Sequence, residues 1–370
     1  MGKRGFRVLD SDLHVIEPPD LYERYLDPRY RDRAPRTMDS SHGYVRHWRV
    51  GQYTFPRPIG KGRVDAEARS LVILKEYAAA RFDPASQLRA MDVEGIDVAV
   101  LFRTLPVVCV DAFEPEFAIA LCRAWNDWMA GFRGLDPKRM HAAALLTLHD
   151  ATLAAQELRR AATQLGFVAG QMMPNPVNGV NLHEPAMDPL WAEAERLGVP
   201  ICFHPAPNNY SQDHFINRFL TRPGSTITMG LNNPVELMSA IACMTAGGVL
   251  ERFPRLRVAF LEGNCSWLPW LLWRLDEYWE MCKGGEEARL QALPSEYFRR
   301  QCFISVDPDE DQVEWVIQKL GDDNLVFSTD YPHPDSRFPE ATELFLKLSI
   351  PDRSTRKILW DNCTRLYGLS

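Results

Sequence analysis

Six residues carry most of the chemistry this chain can offer. Asp12 and His14 stand two apart in "RVLDSDLH", His204 ends "VPICFH", and Glu262 ends "RVAFLE". Asp330 and His333 fall in "FSTDYPHPD". In an extended strand, residues i and i+2 leave the same face, so Asp12 and His14 would lie side by side. A carboxylate and an imidazole on an otherwise apolar segment need either a wet cavity or a cation. These side chains are ligand types for divalent metals, and a bound metal acts as a Lewis acid and lowers the pKa of its water to about 7. Taken singly, each has an ordinary reading. His14 can bond to backbone, Asp12 can cap a turn, and His204 can simply end a strand before Pro205. Glu262 before Gly263 reads as a loop charge, and Asp330 before Tyr331 and Pro332 reads as the start of a turn. Only their joint position in the fold argues for a site.

That position follows from the elements around them. Short apolar runs recur at "RVLDSDLH", 97–102, 140–148, 167–173, 199–204, 257–262, 302–306 and 325–330, each rich in Val, Ile, Leu or Phe. Longer amphipathic stretches lie between them. "DPASQLRAMDVEGI" has an Asp-Pro start and a Gly95 stop. "DATLAAQELRRAATQLG" follows Asp150 as an N-cap, and a helix is expected from Pro234 with Asn233 just before it. Alternating strands and helices predict a (β/α)8 TIM barrel, with a doubly wound sheet as the fallback. Active sites of such barrels sit at the C-terminal ends of the strands. On this reading Asp12, His14, His204, Glu262 and Asp330 all meet at one mouth. Five ionisable groups so placed would repel or protonate without a compensating cation, which makes a metal site the simplest resolution. Two intervals break the alternation. Residues 15–82 form a long insertion after strand one, expected to be a lid or a subunit contact. Residues 205–233 form a long loop after strand five. With no internal repeat, residues 1–370 read as one domain.

The bulk properties narrow the partners. The 370 residues are 46% hydrophobic and 25% charged, ordinary for a globular protein, and the net charge is −7. That acidity excludes nucleic acid as the main partner. No apolar run reaches the roughly 20 residues of a membrane span. The N-terminus lacks the apolar core of a signal peptide, which predicts a cytoplasmic protein. The 8 cysteines show no C-x-x-C pair, and Cys202, Cys243 and Cys302 lie in apolar runs, as buried thiols do.

Several longer stretches add a resemblance: "DSDLHVIEPPDLYERYLDPRYRDRAPR", "RAWNDWMAGF", "ICFHPAP", "GGVLERFPRLRVAFLEGNCSWLPWLLWRLDE" and "FSTDYPHPD". In this order they resemble the amidohydrolase-related family, in the branch of aminocarboxymuconate-semialdehyde decarboxylase and the resorcylate-type decarboxylases. The resemblance spans nearly the whole chain. It implies metal ligands at Asp12, His14, His204 and Asp330, where many members have His or Glu at the position of Asp12. It places Glu262 where the decarboxylases carry a catalytic histidine. A glutamate there is anionic unless it is buried or metal-bound.

The leading expectation is a metal-dependent enzyme acting on a small carboxylated or aromatic molecule, by metal-assisted hydrolysis or by non-oxidative decarboxylation. Asp330 and Glu262 are the candidate catalytic groups, with Asp330 able to act as base towards a metal-bound water. The carboxylate-rich set favours manganese or iron, with zinc also suited, at one or two ions per chain. Glu262 can serve a second metal, and His333 is either a further ligand or an outer residue that orients Asp330. Arg103, Arg218 and Arg222 are candidates for holding a substrate carboxylate by a bidentate contact, although isolated arginines are more often surface-solvated. Two alternatives stay open: a dinuclear non-haem iron oxygenase on the same scaffold, and a non-catalytic binding protein with a relic site. The aromatic helix "WLPWLLWRLDEYWEMC" and the family resemblance point to a homodimer.

Overall fold

The computed structural model describes residues 2–38, 47–55, 61–105, 107–206, 210–219, 226–283 and 289–369. Its strands are β1 (Leu9–His14), β2 (Arg36–Met38), β3 (His47–Val50), β4 (Tyr53–Phe55), β5 (Val98–Phe102) and β6 (Met140–Leu145). They continue with β7 (Ala169–Met172), β8 (Ile201–Phe203), β9 (Val258–Phe260), β10 (Cys302–Val306) and β11 (Leu325–Phe327). All eight apolar runs form strands. They join into one parallel sheet in the order β1-β5-β6-β7-β8-β9-β10-β11. Parallel neighbours need crossovers, and the amphipathic stretches supply them as helices. Pro84–Glu94 starts behind Asp83, which accepts from the Ser86 amide, and stops at Gly95 with φ of 77°. Ala151–Gln164 starts behind Asp150, which accepts from the Leu153 amide. Such caps are worth about 1 kcal/mol each.

The sheet curls until β11 meets β1, forming a (β/α)8 barrel. The seam is polar. Ser11 Oγ donates to the Phe327 carbonyl at 2.6 Å, the Asp330 amide to the Asp12 carbonyl at 3.3 Å, and the His14 amide to the Tyr331 carbonyl at 2.7 Å. The buried Asp10 carboxylate accepts from Thr329 Oγ1 at 2.5 Å, the Thr329 amide at 3.3 Å and the Asp12 amide at 3.0 Å.

The pairing of β1 with β5 slips. Leu9 and Asp10 oppose Val98 and Ala99, but Leu13 and His14 oppose Leu101 and Phe102. Three steps on β1 thus match two on β5, so β1 carries a bulge with one extra residue. One extra residue exchanges the faces of everything that follows it. Leu9 belongs to the inner cluster with Val100, Phe102, Ala143, Ala169, Cys202, Ala259, Leu261, Phe303 and Val326. Leu13, four residues on, packs outside with Leu101 and the helices. Without the bulge Leu13 would face inward, and Asp12 and His14 would face the helices. The bulge aims the first pair of site residues into the barrel. The far end is closed by Cys363, Leu366 and Tyr367 of the last helix, with Tyr367 Oη donating to the Ser11 carbonyl at 2.6 Å.

The insertion after β1 is structured where it is described. It holds the antiparallel sheet β2-β3-β4 and the helices Leu21–Tyr25, Lys61–Ile73 and Lys75–Ala79. The sheet lies on the loops at the barrel mouth. Tyr53 packs on Phe113 and Tyr210 with ring centroids 5.8 and 5.0 Å apart, and Tyr210 Oη donates to the Thr54 carbonyl at 2.9 Å. One element differs from the sequence reading. The helix expected from Pro234 spans Thr226–Met244 with Pro234 in its interior, so the loop after β8 is shorter than 205–233. Asn233, expected just before the helix, lies inside it and turns its amide to Glu262. No described helix is long and apolar enough to cross a membrane.

Candidate metal centre

His14 is the last residue of β1, and His204, Glu262 and Asp330 follow β8, β9 and β11. Glu262 and Asp330 have φ of 59° and 58°. This left-handed conformation costs a residue with a side chain roughly 1–2 kcal/mol and turns the chain sharply at the strand end. Neighbours hold it there. The Glu262 amide donates to Ser305 Oγ at 3.1 Å, and Asn233 Nδ2 donates to the Glu262 carbonyl at 2.8 Å and to Oε1 at 3.1 Å.

The side chains meet in a space a few ångströms across. His14 Nε2 lies 3.0 Å from His204 Nε2, 3.4 Å from Asp12 Oδ1, 3.2 Å from Asp330 Oδ1 and 4.0 Å from Glu262 Oε2. His204 Nε2 lies 3.3 Å from Asp12 Oδ2 and 2.9 Å from Glu262 Oε2. The five predicted groups therefore share one site.

The protons available there decide what it can hold. His14 Nδ1 is 2.7 Å from the Arg103 carbonyl, and His204 Nδ1 is 2.9 Å from the Pro205 carbonyl. A carbonyl only accepts, so both rings donate through Nδ1. In the neutral rings both Nε2 lone pairs then face the centre, 3.0 Å apart. Both Asp12 oxygens are buried without a hydrogen-bond partner among the described residues. Lone pairs crowded together with no donor call for a cation. Ligand atoms of Asp12, His14 and His204 lie within 4.8 Å of one another, as do those of His14, Glu262, Asp330 and His333. A divalent metal fits this donor set.

The electrostatics carry the same demand. Burial drives His14 down to about 4, so it is neutral. Burial also opposes charge on His204, but the Asp12 and Glu262 carboxylates outweigh it and raise His204 to about 10. Burial pushes against ionisation of Glu262 as well, yet the charge on His204 brings it to about 2. Against the same cost, His204 holds Asp12 well below the usual carboxylate range. Asp330 goes the other way, raised by burial and then by the Glu262 charge. His204 thus draws a proton towards the position where the acids need positive charge.

A second proton is fixed beside it. His333 Nδ1 lies 2.6 Å from Asp330 Oδ1, and His333 Nε2 lies 3.2 Å from Thr104 Oγ1. Thr104 uses its hydroxyl proton on the Val15 carbonyl at 2.7 Å. His333 Nε2 must therefore donate to Thr104, and the contact between Nδ1 and Asp330 holds a further proton shared by the pair.

The arginines separate. Arg103 is only 2% exposed, although isolated arginines are expected at the surface. Its Nη2 donates to the His204 carbonyl and to Met173 Sδ, both at 3.0 Å. No carboxylate pairs with it among the described residues. Arg218 is exposed on the turn Phe215–Phe219, its guanidinium 5.6 Å over the Phe215 ring. Arg222 lies outside the described residues. Sequence reasoning missed the supports. Gln171 spans from the Ala143 carbonyl to the Arg103 amide, and buried Glu17 accepts from the amides of Thr104 and Leu105 and from Trp125 Nε1. The burial of Glu17 depends on distant segments and leaves no mark in its own neighbourhood of the sequence.

A parallel barrel with carboxylates and imidazoles converging at its C-terminal mouth defines a class, the barrel enzymes with a candidate metal site at the strand ends. Residues 10–369 match the Amidohydro_2 family, described as amidohydrolase, and the chain belongs to that family of enzymes. It is 28% identical over 288 residues to the 2-amino-3-carboxymuconate-6-semialdehyde decarboxylase of Dictyostelium discoideum, covering 78% of this chain and 77% of the relative. To the gamma-resorcylate decarboxylase of Rhodococcus jostii it is 29% identical over 299 residues, covering 76% and 87%. Among solved structures, the dihydroxybenzoic acid decarboxylase of Polaromonas, with bound manganese and the inhibitor 2-nitroresorcinol, superposes with a TM-score of 0.68 at 20% identity. That match covers 100% of this chain and 97% of the other.

Proposed function

We propose that the protein is a metal-dependent, non-oxidative decarboxylase of a small aromatic carboxylate, using one divalent ion of the manganese class. The observation that carries this reading is the Asp330–His333 contact, whose geometry keeps a proton on the pair beside the clustered carboxylates and imidazoles. Asp12, His14, His204 and Asp330 would hold the ion, and oxygen-rich ligands favour manganese. When bound, it supplies Lewis-acid polarisation of substrate oxygens. Arg103, buried and paired with no carboxylate among the described residues, anchors the substrate carboxylate. Glu262, held ionised, accepts the proton of a ring hydroxyl. The Asp330–His333 pair delivers its proton to the ring carbon that bears the carboxylate. The bond from that carbon to the carboxylate carbon then breaks, its electron pair returns to the ring, and carbon dioxide leaves. The balance needs no oxidant. The names and chemistry of the relatives support the same class.

Hydrolysis at this centre would need Asp330 as a base, but its hydrogen-bond partner already places a proton on the pair. A second ion, as an iron oxygenase would need, finds few ligands. The two groups of possible ligands share His14, whose Nδ1 is committed to Arg103, leaving one nitrogen for one ion. A homodimer belongs to the proposal too. Trp270 and Trp273 are each 52% exposed on one helix, with exposed Trp315 bordering the same cleft, a face that a second copy would cover.

The test is anaerobic release of carbon dioxide from 2,6-dihydroxybenzoate and isomeric hydroxybenzoates by manganese-loaded protein. Release without oxygen supports the proposal. Turnover of esters or lactones with no release from any hydroxybenzoate, or substrate-dependent oxygen uptake, overturns it.

A further inference from the structure

We infer that the insertion carries a second, non-catalytic binding site for a planar aromatic anion of the benzoate class. The site is a cleft of about 500 Å³ lined by Arg33, Arg36, Arg49, Tyr53, Phe113 and Phe117, among others. Arg36 and Arg49 are directly opposite each other in the β2-β3 ladder, so their side chains leave the sheet on the same face. Like charges in that relation repel. Elsewhere on this chain arginines find acids readily: Arg159 and Arg196 share Glu193, and Arg139 pairs with Asp92. Arg36 and Arg49 pair with no acid among the described residues. Arg33 is neutralised by Glu114 at 2.6 Å and lies over the Phe117 ring at 4.1 Å. The one carboxylate in the wall, Asp32, forms no ion pair with either arginine. Two uncompensated guanidinium groups in a concave surface, on a chain of net charge −7, make a local positive focus.

The rest of the lining selects the ligand. Tyr53, Phe113 and Phe117 give the cleft an aromatic side, with Phe113 and Phe117 packed edge to face at 5.0 Å. A guanidinium fork matches a carboxylate, and aromatic walls accept a flat ring. None of these residues belongs to the metal centre, so the inference does not rest on the reaction proposed there. Tyr53 also packs against Tyr210 in the loop after β8, so the cleft shares a wall with the barrel mouth.

The experiment counts binding sites on the metal-loaded protein by equilibrium dialysis with radiolabelled benzoate. The wild type is expected to bind one equivalent more than the Arg36→Gln/Arg49→Gln variant, whose turnover is unchanged. The variant should melt no lower than the wild type, because it loses a repulsive pair. Acetate and inorganic phosphate should displace the extra equivalent at least tenfold less well than benzoate. In Phe113→Leu, which keeps both arginines, that preference should shrink. Equal benzoate binding by wild type and double variant overturns the site. Displacement by phosphate or acetate as effective as by benzoate overturns the aromatic assignment.

Discussion

Arg103→Met separates a residue that stabilises the fold from one that serves a ligand. Methionine has nearly the length of arginine but no charge. In the folded protein Arg103 is 2% exposed, bonded to one carbonyl and one thioether, and faces no carboxylate among the described residues. Removing it forfeits a charge-assisted bond to the His204 carbonyl, worth about 1.5–3 kcal/mol. It also relieves the burial of a lone cation, a penalty of several kcal/mol. The two nearly cancel, so the melting temperature should stay level or rise. Turnover should respond quite differently. If the guanidinium receives the substrate carboxylate, losing one partner of a buried charged pair costs about 2–5 kcal/mol. At about 1.4 kcal/mol per factor of ten, kcat/KM falls roughly 30- to 4,000-fold. Thermal melts and steady-state kinetics on the manganese-loaded variant read both quantities. A variant that melts far lower, while its folded fraction keeps wild-type kcat/KM, would refute the anchoring role.

Three further outcomes follow from the same geometry. Glu262→Gln keeps the shape but removes the charge that faces His204, so metal stoichiometry should stay at one while kcat falls at least a hundredfold; elemental analysis alongside kinetics checks this. His333→Asn breaks the proton-sharing pair with Asp330, so kcat should drop more than KM changes and the pH profile should lose a limb. Glu236, raised to about 7 by burial, lies on the helix Thr226–Met244 and accepts from the Phe215 amide at 2.6 Å. Its raised value makes its stabilising contribution complete below about 4.5 and lost as pH rises through 7. Glu236→Gln should therefore match the wild type near pH 4.5 and exceed it by up to about 3 kcal/mol at pH 8, measured by chemical denaturation.

The chain displays some of this openly and hides the rest. The apolar runs are legible because each strand is buried on both faces, which forces continuous Val, Ile, Leu and Phe. His204, Glu262 and Asp330 are legible because each ends such a run. Asp12 and His14 are legible as a pair, yet the alternation argument alone does not give their direction. The face they occupy depends on the β1 bulge, a property of pairing with β5 that no local pattern records. Arg103 shows the same limit. Its sequence neighbourhood gives a solvated strand end, and its buried partners, Met173 and His204, lie far along the chain. Pro234 misled for the opposite reason, since a helix that continues through a proline needs tertiary support the sequence does not advertise.

The most direct test of the central claim is the metal content of the purified protein by elemental analysis, beside that of Asp12→Ala and His204→Ala. The account predicts close to one equivalent of a divalent ion, manganese when it is supplied, in the wild type. It predicts less than a tenth of that in each variant. Wild-type metal content in both variants would contradict it.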